Sequence, residues 1–361
     1  MSNNDKLAEI RNRIDLIDEQ IQELITERAR CAGEVAEVKQ QSNEEVIFYR
    51  PEREADILRK VQSRNQGPLS NEEMARLFRE IISTCLALEE VLKIAYLGPE
   101  GTFTQSAALK HFGHAVETMP LPAIDTVFRE VESGSAHYGV VPVENSTEGV
   151  ISHTLDMFLR TNMKICGEVE LRVHHCLLSN EQNKTSIKKV YSHQQSLGQC
   201  REWLDANLSQ AERVAVSSNS EAARLAASEP SSAAIASDAS AEIYKLKILQ
   251  PNIEDEPDNT TRFLIIGKQP VGVSARDKTS LLLSTNNSSG ALHGLLAPLV
   301  KHNISMTRIE SRPSRKGMWD YVFFIDIEGH ETSPEISIAL QELEQKAALF
   351  KVLGSYPCAV L

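Results

Sequence analysis

Apolar residues recur at alternating steps of three and four through Leu7, Ile10, Ile14, Ile17, Ile21, Leu24, Cys31, Val35 and Val38, which predicts one long helix seeking partner helices. Arg28 occupies a seam position where an aliphatic side chain belongs. A buried guanidinium needs an anion, supplied by the protein or by a ligand. Lys39 lies close to three whole turns beyond Arg28 and projects from nearly the same face, whereas Arg11 falls about 100° away. One helix thus serves two sites. From Leu7 to Gln40 it spans roughly 50 Å, more than a compact module of about ninety residues is wide, so a second copy of the chain is expected to cover the seam.

Two further helices complete the unit. Pro51 suits a first helical position, and the turn Asn65-Gln66-Gly67-Pro68 ends that helix. Ser70 with Glu73 forms a capping box that opens a stripe of Met74, Leu77, Ile81, Cys85, Leu88 and Leu92, with Glu89 one turn after Cys85. The pattern changes at Ile94. Strand-like IAYLG, GVVPVEN, KVYSH, RVAVS, SSAAIAS and TRFLIIG alternate with helical stretches, of which QQSLGQCREWLDANL is one. Ligands of open α/β sheets gather at the carboxyl ends of strands, where Thr102, Glu144, Asn145, Ser146, His193, Gln195, Ser218 and Thr261 fall. Beyond a loop at Pro270 and Gly272, the chain reads β-α-β-β-α-β, the ferredoxin-like order.

Composition narrows the partners. A formal net charge of −12 with no basic cluster excludes nucleic acid and anionic membrane as main partners. No apolar run reaches the roughly eighteen residues of a membrane span, and no signal peptide precedes Leu7, so a cytoplasmic enzyme is expected. The six cysteines lack paired spacing, which predicts reduced thiols and no structural zinc.

On residues 5–93, the set Arg11, Arg28, Lys39, Arg53, Glu54 and Glu89, with the run TERARCAGEVAEVK, resembles the active site of the all-helical chorismate mutases, which form an intertwined helical dimer. Arg28 and Lys39 could alternatively snorkel or bridge to neighbouring glutamates. The resemblance implies that Arg11 of the partner subunit and Arg28 hold the carboxylates of chorismate, that Lys39 donates to the ether oxygen, and that Arg53 and Glu54 contact the ring side. A carboxyl at Glu89 donates a hydrogen bond only while protonated, so mildly acidic pH should favour this activity. Cys85 stands where some relatives have serine, and a longer turn in IFYRPERE puts a contact from Arg50 in doubt. The rearrangement is pericyclic, and no cofactor or metal is expected.

YLGPEGTFT, VPVENSTEGV, YSHQQSLGQC and NTTRF follow the order found in prephenate dehydratases, which implies a two-lobed, periplasmic-binding-protein-like α/β unit at 94–270. Taken singly, Glu144-Asn145-Ser146 could be a helix start and His193 a structural histidine. By resemblance, Thr261 assists departure of the ring hydroxyl, through a hydrogen bond relayed from a neighbour or water. Thr102, Ser106, Asn145, Ser146, His193 and Gln195 are candidate positioning groups for prephenate, with Thr260 a rival to Thr261. Arg262 either holds a substrate carboxylate or forms an internal salt bridge. GALHGLL and ESRPSRKGMWDYVFF resemble the ACT regulatory domain, covering 277–361 and implying a phenylalanine site at Gly290, Ala291, Leu292, Glu310, Ser311 and Arg312; a purely structural sheet is the alternative.

With a helical unit at 1–93, the three resemblances together are similar to the bifunctional chorismate mutase/prephenate dehydratase family of phenylalanine biosynthesis. They imply a homodimer, with pairing into a tetramer left open. A catalytically inactive amino-acid sensor and a dehydratase preferring arogenate are the alternatives.

Overall fold

The computed structural model describes residues 3–40, 49–286, 288–313 and 321–361. Ile47 and Phe48 of IFYRPERE and the stretch 314–320 of ESRPSRKGMWDYVFF lie outside the described residues. The long helix is α1 (Asn3–Gln40). Its seam is bare within one chain: Leu24 is 70% exposed and Ile10 56%, and of the described α1 side chains only Ala36 is buried. α2 (Pro51–Arg64) begins on the expected proline, and α3 (Asn71–Ala87) opens with the reciprocal Ser70–Glu73 capping box. Leu58, Ala75 and Ile82 bury the α2–α3 contact, and Val360 and Leu361 pack alongside from the far end of the chain. Arg59 fastens that end by donating to Arg276 O at 2.9 Å and Cys358 O at 3.0 Å.

A first lobe comprises β1 (Lys93–Leu97), α4 (Phe103–Phe112), β2 (Glu117–Leu121), α5 (Ile124–Ser133), β3 (Tyr138–Asn145), β4 (Gly149–Val150), α6 (Ser152–Arg160) and β5 (Lys164–Arg172). The chain then enters a second lobe of β6 (Cys176–Ser179), β7 (Lys189–His193), α7 (Gln194–Gln199), α8 (Arg201–Asn207), β8 (Glu212–Val216), α9 (Asn219–Ser228), β9 (Ser232–Ala236), α10 (Asp238–Tyr244) and β10 (Lys247–Gln250). It returns as β11 (Thr260–Gly267), inserted between β3 and β5, so the first sheet runs β2-β1-β3-β11-β5. The second runs β10-β6-β9-β7-β8. Where one helix was expected after KVYSH there are two, because Cys200 leaves helical geometry at φ −116, ψ 19. The Glu144-Asn145-Ser146 segment ends a strand and starts no helix.

The last unit is β12 (Asp277–Ser284), α11 (Ala291–Lys301), β13 (Met306–Pro313), β14 (Tyr321–Glu328), α12 (Pro334–Lys346) and β15 (Leu349–Pro357), with sheet order β13-β14-β12-β15. Strand alternation divides its sheet between two cores. Leu281, Leu283, Ile325 and Ile327 face α11 and α12, while Leu282, Phe324, Leu353 and Tyr356 join Leu155, Phe158, Ile165 and Leu264 of the first lobe. The two units therefore share apolar packing across the loop at Pro270. No helix among the described residues is long and apolar enough to cross a membrane.

Candidate functional site

In the helical unit, α1 and the turn after α3 bring Lys39 Nζ within 3.6 Å of the Glu89 carboxylate, whose side chain is 8% exposed. Cys85, one turn earlier, is buried. Glu54 is buried in an ion pair with Arg79, a partner the sequence did not suggest. Burial pushes its carboxyl above the usual range, against the pull of Arg79 and then Arg28. Arg28 is half-buried, Arg53 is exposed, and Arg50 reaches Glu52 at 3.9 Å. Arg11 is exposed on the same continuous helix as Lys39, about 42 Å away at 1.5 Å per residue, so one chain cannot bring the two together.

In the two-lobed unit, register places Thr261 of β11 opposite Asn145 of β3. Asn145 Nδ2 donates to Thr261 Oγ1 and to Asn259 Oδ1, each at 2.8 Å. Thr261 is only 8% exposed. Ser146 joins the strands, its N–H donating to Thr260 O at 2.9 Å and its Oγ accepting from Thr260 N at 3.0 Å. That exchange occupies Thr260 with backbone architecture.

The lobes meet along polar contacts. Glu148, beyond β3, accepts from Gln195 and, at 2.9 Å, from Gln199 of α7. Gln199 Oε1 in turn accepts from His175 Nε2 at 2.8 Å, and burial above all keeps His175 below the usual histidine range, hence neutral. His193 Nδ1 accepts from Gln195 N at 3.4 Å, while the backbone N–H of His193 donates to Asn219 Oδ1 at 3.0 Å. Ser218 caps α9. Thr102 donates to Leu97 O at 3.2 Å and Ser106 to Thr102 O at 3.5 Å, so both shape the loop before α4. At the tip of that loop, Gly101 O accepts from Ser237 and Ser240, each at 2.9 Å. With φ +82 and Ser220 Oγ 2.7 Å from the position of a Cβ, only glycine fits there.

Arg262 donates to Glu168 at 2.8 Å, Asp326 at 2.7 Å and Tyr356 at 3.1 Å, so it forms an internal salt bridge. In the last unit Gly290 precedes α11 at φ +75 in open space, Ala291 is half-buried and Leu292 is 36% exposed. Glu310 is half-buried and Ser311 exposed. Arg312, expected beside an amino-acid ligand, reaches Asp156 of α6 at 3.1 Å, because β13 lies against the first lobe. Sequence reasoning passed over Glu148, Gln199 and Asn259, although each sits in or beside a quoted motif; nothing local marks His175 or Arg79.

Three family models match in succession: chorismate mutase type II at 10–90, prephenate dehydratase at 94–271 and ACT domain at 279–345. The chain is 59% identical over 365 residues to a bifunctional chorismate mutase/prephenate dehydratase of Pseudomonas aeruginosa, covering 100% of both chains. It is 53% identical to that of Neisseria gonorrhoeae, covering 97% of each. A prephenate dehydratase from Arthrobacter aurescens, solved in complex with L-Phe, superposes with a TM-score of 0.68 at 30% identity, covering 74% of this chain and 90% of that one. The chain belongs to the bifunctional chorismate mutase/prephenate dehydratase family.

Proposed function

We infer that this chain rearranges chorismate to prephenate in its helical unit, and then decarboxylates and dehydrates prephenate to phenylpyruvate between its two lobes, within phenylalanine biosynthesis. The observation that carries this reading is the presence, in one chain, of two separate constellations suited to the two steps: Lys39 beside Glu89, and Asn145 feeding Thr261. The first step needs a cage that holds a dicarboxylate compactly and donors where negative charge grows on the ether oxygen. Lys39 is the donor, Glu89 lies beside it, and Arg28 belongs to the anion-holding set. The set is completed by the partner subunit's Arg11. Support comes from the bare α1 seam and the span separating Arg11 from Lys39.

The second step needs a donor at the departing hydroxyl. Thr261 is suited to it: its oxygen already accepts from Asn145, so its hydrogen is left to give. His193, Gln195, Ser146, Thr102 and Ser106 shape the lobe edges around it. A cytoplasmic setting is supported by six unbridged cysteines. Phenylalanine is the proposed feedback ligand at Gly290–Leu292 and β13, supported by the L-Phe complex of the Arthrobacter relative. Following chorismate loss and phenylpyruvate formation by ultraviolet absorbance tests both steps. Repeating the assay with phenylalanine on Leu292→Asp tests the regulation, with relief of inhibition at unchanged basal rates expected. Failure of the parent to consume chorismate overturns the reading.

A further inference from the structure

Hydrogen-bond polarity fixes where the free donors of the cleft lie. Backbone N–H groups only donate, so Thr147 N and Glu148 N, each 3.1 Å from the Asn145 side chain, identify the atom they meet as Oδ1. Nδ2 of Asn145 must then be the group facing Asn259 and Thr261, and the atom it meets on Asn259 must be the carbonyl oxygen. Both amides are thereby oriented. Asn145 is saturated, whereas Asn259 Nδ2 has no partner among the described residues although the residue is 2% exposed. A buried amide donor without an acceptor is costly, and such a group persists where a ligand supplies the acceptor. The backbone of Asn259 is also firmly placed, its main-chain carbonyl accepting from Val173 N at 2.8 Å, and the residue lines the same cleft as Glu148, His193 and Gln195.

We propose that Asn259 is a second hydrogen-bond donor to the dehydratase substrate, its Nδ2–H meeting the departing hydroxyl oxygen alongside the Thr261 hydroxyl. The proposal rests on the reading that Thr261 faces that oxygen. In the reaction, the electron pair of the bond between ring and carboxylate moves into the ring, carbon dioxide leaves, and the C–O pair departs with the hydroxyl as hydroxide, which takes a proton from solvent to become water. Thr261 and Asn259 keep their protons. Their task is to stabilise charge growing on oxygen, which two convergent donors do better than one.

Asn259 could instead serve only as a brace for Asn145, and Asn259→Asp separates the two roles. The substituted carboxyl keeps an oxygen for Asn145 Nδ2 to donate to, but replaces the free donor with a second oxygen. The expected result is a dehydratase kcat lowered about 100-fold relative to the parent near neutral pH. The ratio recovers as acid protonates the carboxyl and restores an O–H donor. Asn259→Ala is equally impaired and shows no recovery. Mutase turnover of each preparation stays parental and reports correct folding. Parental dehydratase turnover in Asn259→Asp, or a loss with the same flat pH ratio as Asn259→Ala, overturns the proposal. Thr261→Ala measured alongside keeps the failures distinct: parental activity there sinks the reading of Thr261, whereas its inactivity beside a fully active Asn259→Asp sinks only the role of Asn259.

Discussion

Arg308 of β13 meets Glu144 of β3 at 2.9 Å, one residue before Asn145. Neighbouring strand residues point to opposite faces, and register pairs Thr261 with Asn145 and Arg262 with Glu144. The last unit therefore grips, through Arg308 and Asp326, the reverse side of the two strands that carry the proposed dehydratase donors. A ligand that shifts β13 or β14 has a short mechanical route to Thr261. Arg308→Ala is expected to leave both basal activities intact while raising the phenylalanine concentration for half-inhibition roughly tenfold, within the usual 1–3 kcal/mol of site coupling. Unchanged inhibition in a dose–response assay would remove Arg308 from that route.

Thr261→Ala is expected to lower prephenate turnover by roughly 100-fold or more while leaving the rearrangement of chorismate intact. Thr260→Ala should retain most dehydratase activity, because Thr260 contacts Ser146 chiefly through its backbone. Separate assays with chorismate and with prephenate distinguish the two variants, and equal turnover of both would break the assignment.

Glu89 can give a hydrogen bond only as the neutral acid, so any rise of mutase turnover on acidification should depend on this side chain. Glu89→Gln donates at every pH. Its profile should be flat, and a slope matching the parent's would assign the pH dependence to another group.

His111 is half-buried where α3 and α4 meet, its ring 3.0 Å from the Tyr49 hydroxyl and its backbone carbonyl accepting from Arg79. Burial first, then Arg79, holds it well below the usual histidine range. The unfolded chain binds a proton below about pH 6.5 that the folded chain refuses, so stability is fully present above that pH and falls as pH drops. The slope is up to about 1.4 kcal/mol per pH unit for one such group. Urea unfolding midpoints across this range should fall less steeply in His111→Gln than in the parent.

What the chain discloses locally proved readable. The α1 seam, the Ser70–Glu73 box and the order of the last six elements follow from spacing within a few residues. Arg262 was ambiguous because its partners, Asp326 and Glu168, lie 64 and 94 residues away. Arg312 met Asp156 for the same reason, since no pattern along one strand tells which neighbouring unit it faces. Cys200 broke a helix that periodicity carried straight through. Asn259 lay inside a recognised run, yet its free amide emerges only when the polarity of Asn145 is traced in three dimensions.

The central claim is that a mutase site draws Arg11 from one subunit and Lys39 from another. Arg11→Ala and Lys39→Ala proteins, each purified with its dehydratase activity intact, should be nearly inactive as mutases alone. After mixing under conditions that exchange subunits, half the dimers are hybrids with one intact site of two, so mutase turnover should recover to about one quarter of the parental value. A mixture no more active than its components would contradict the account.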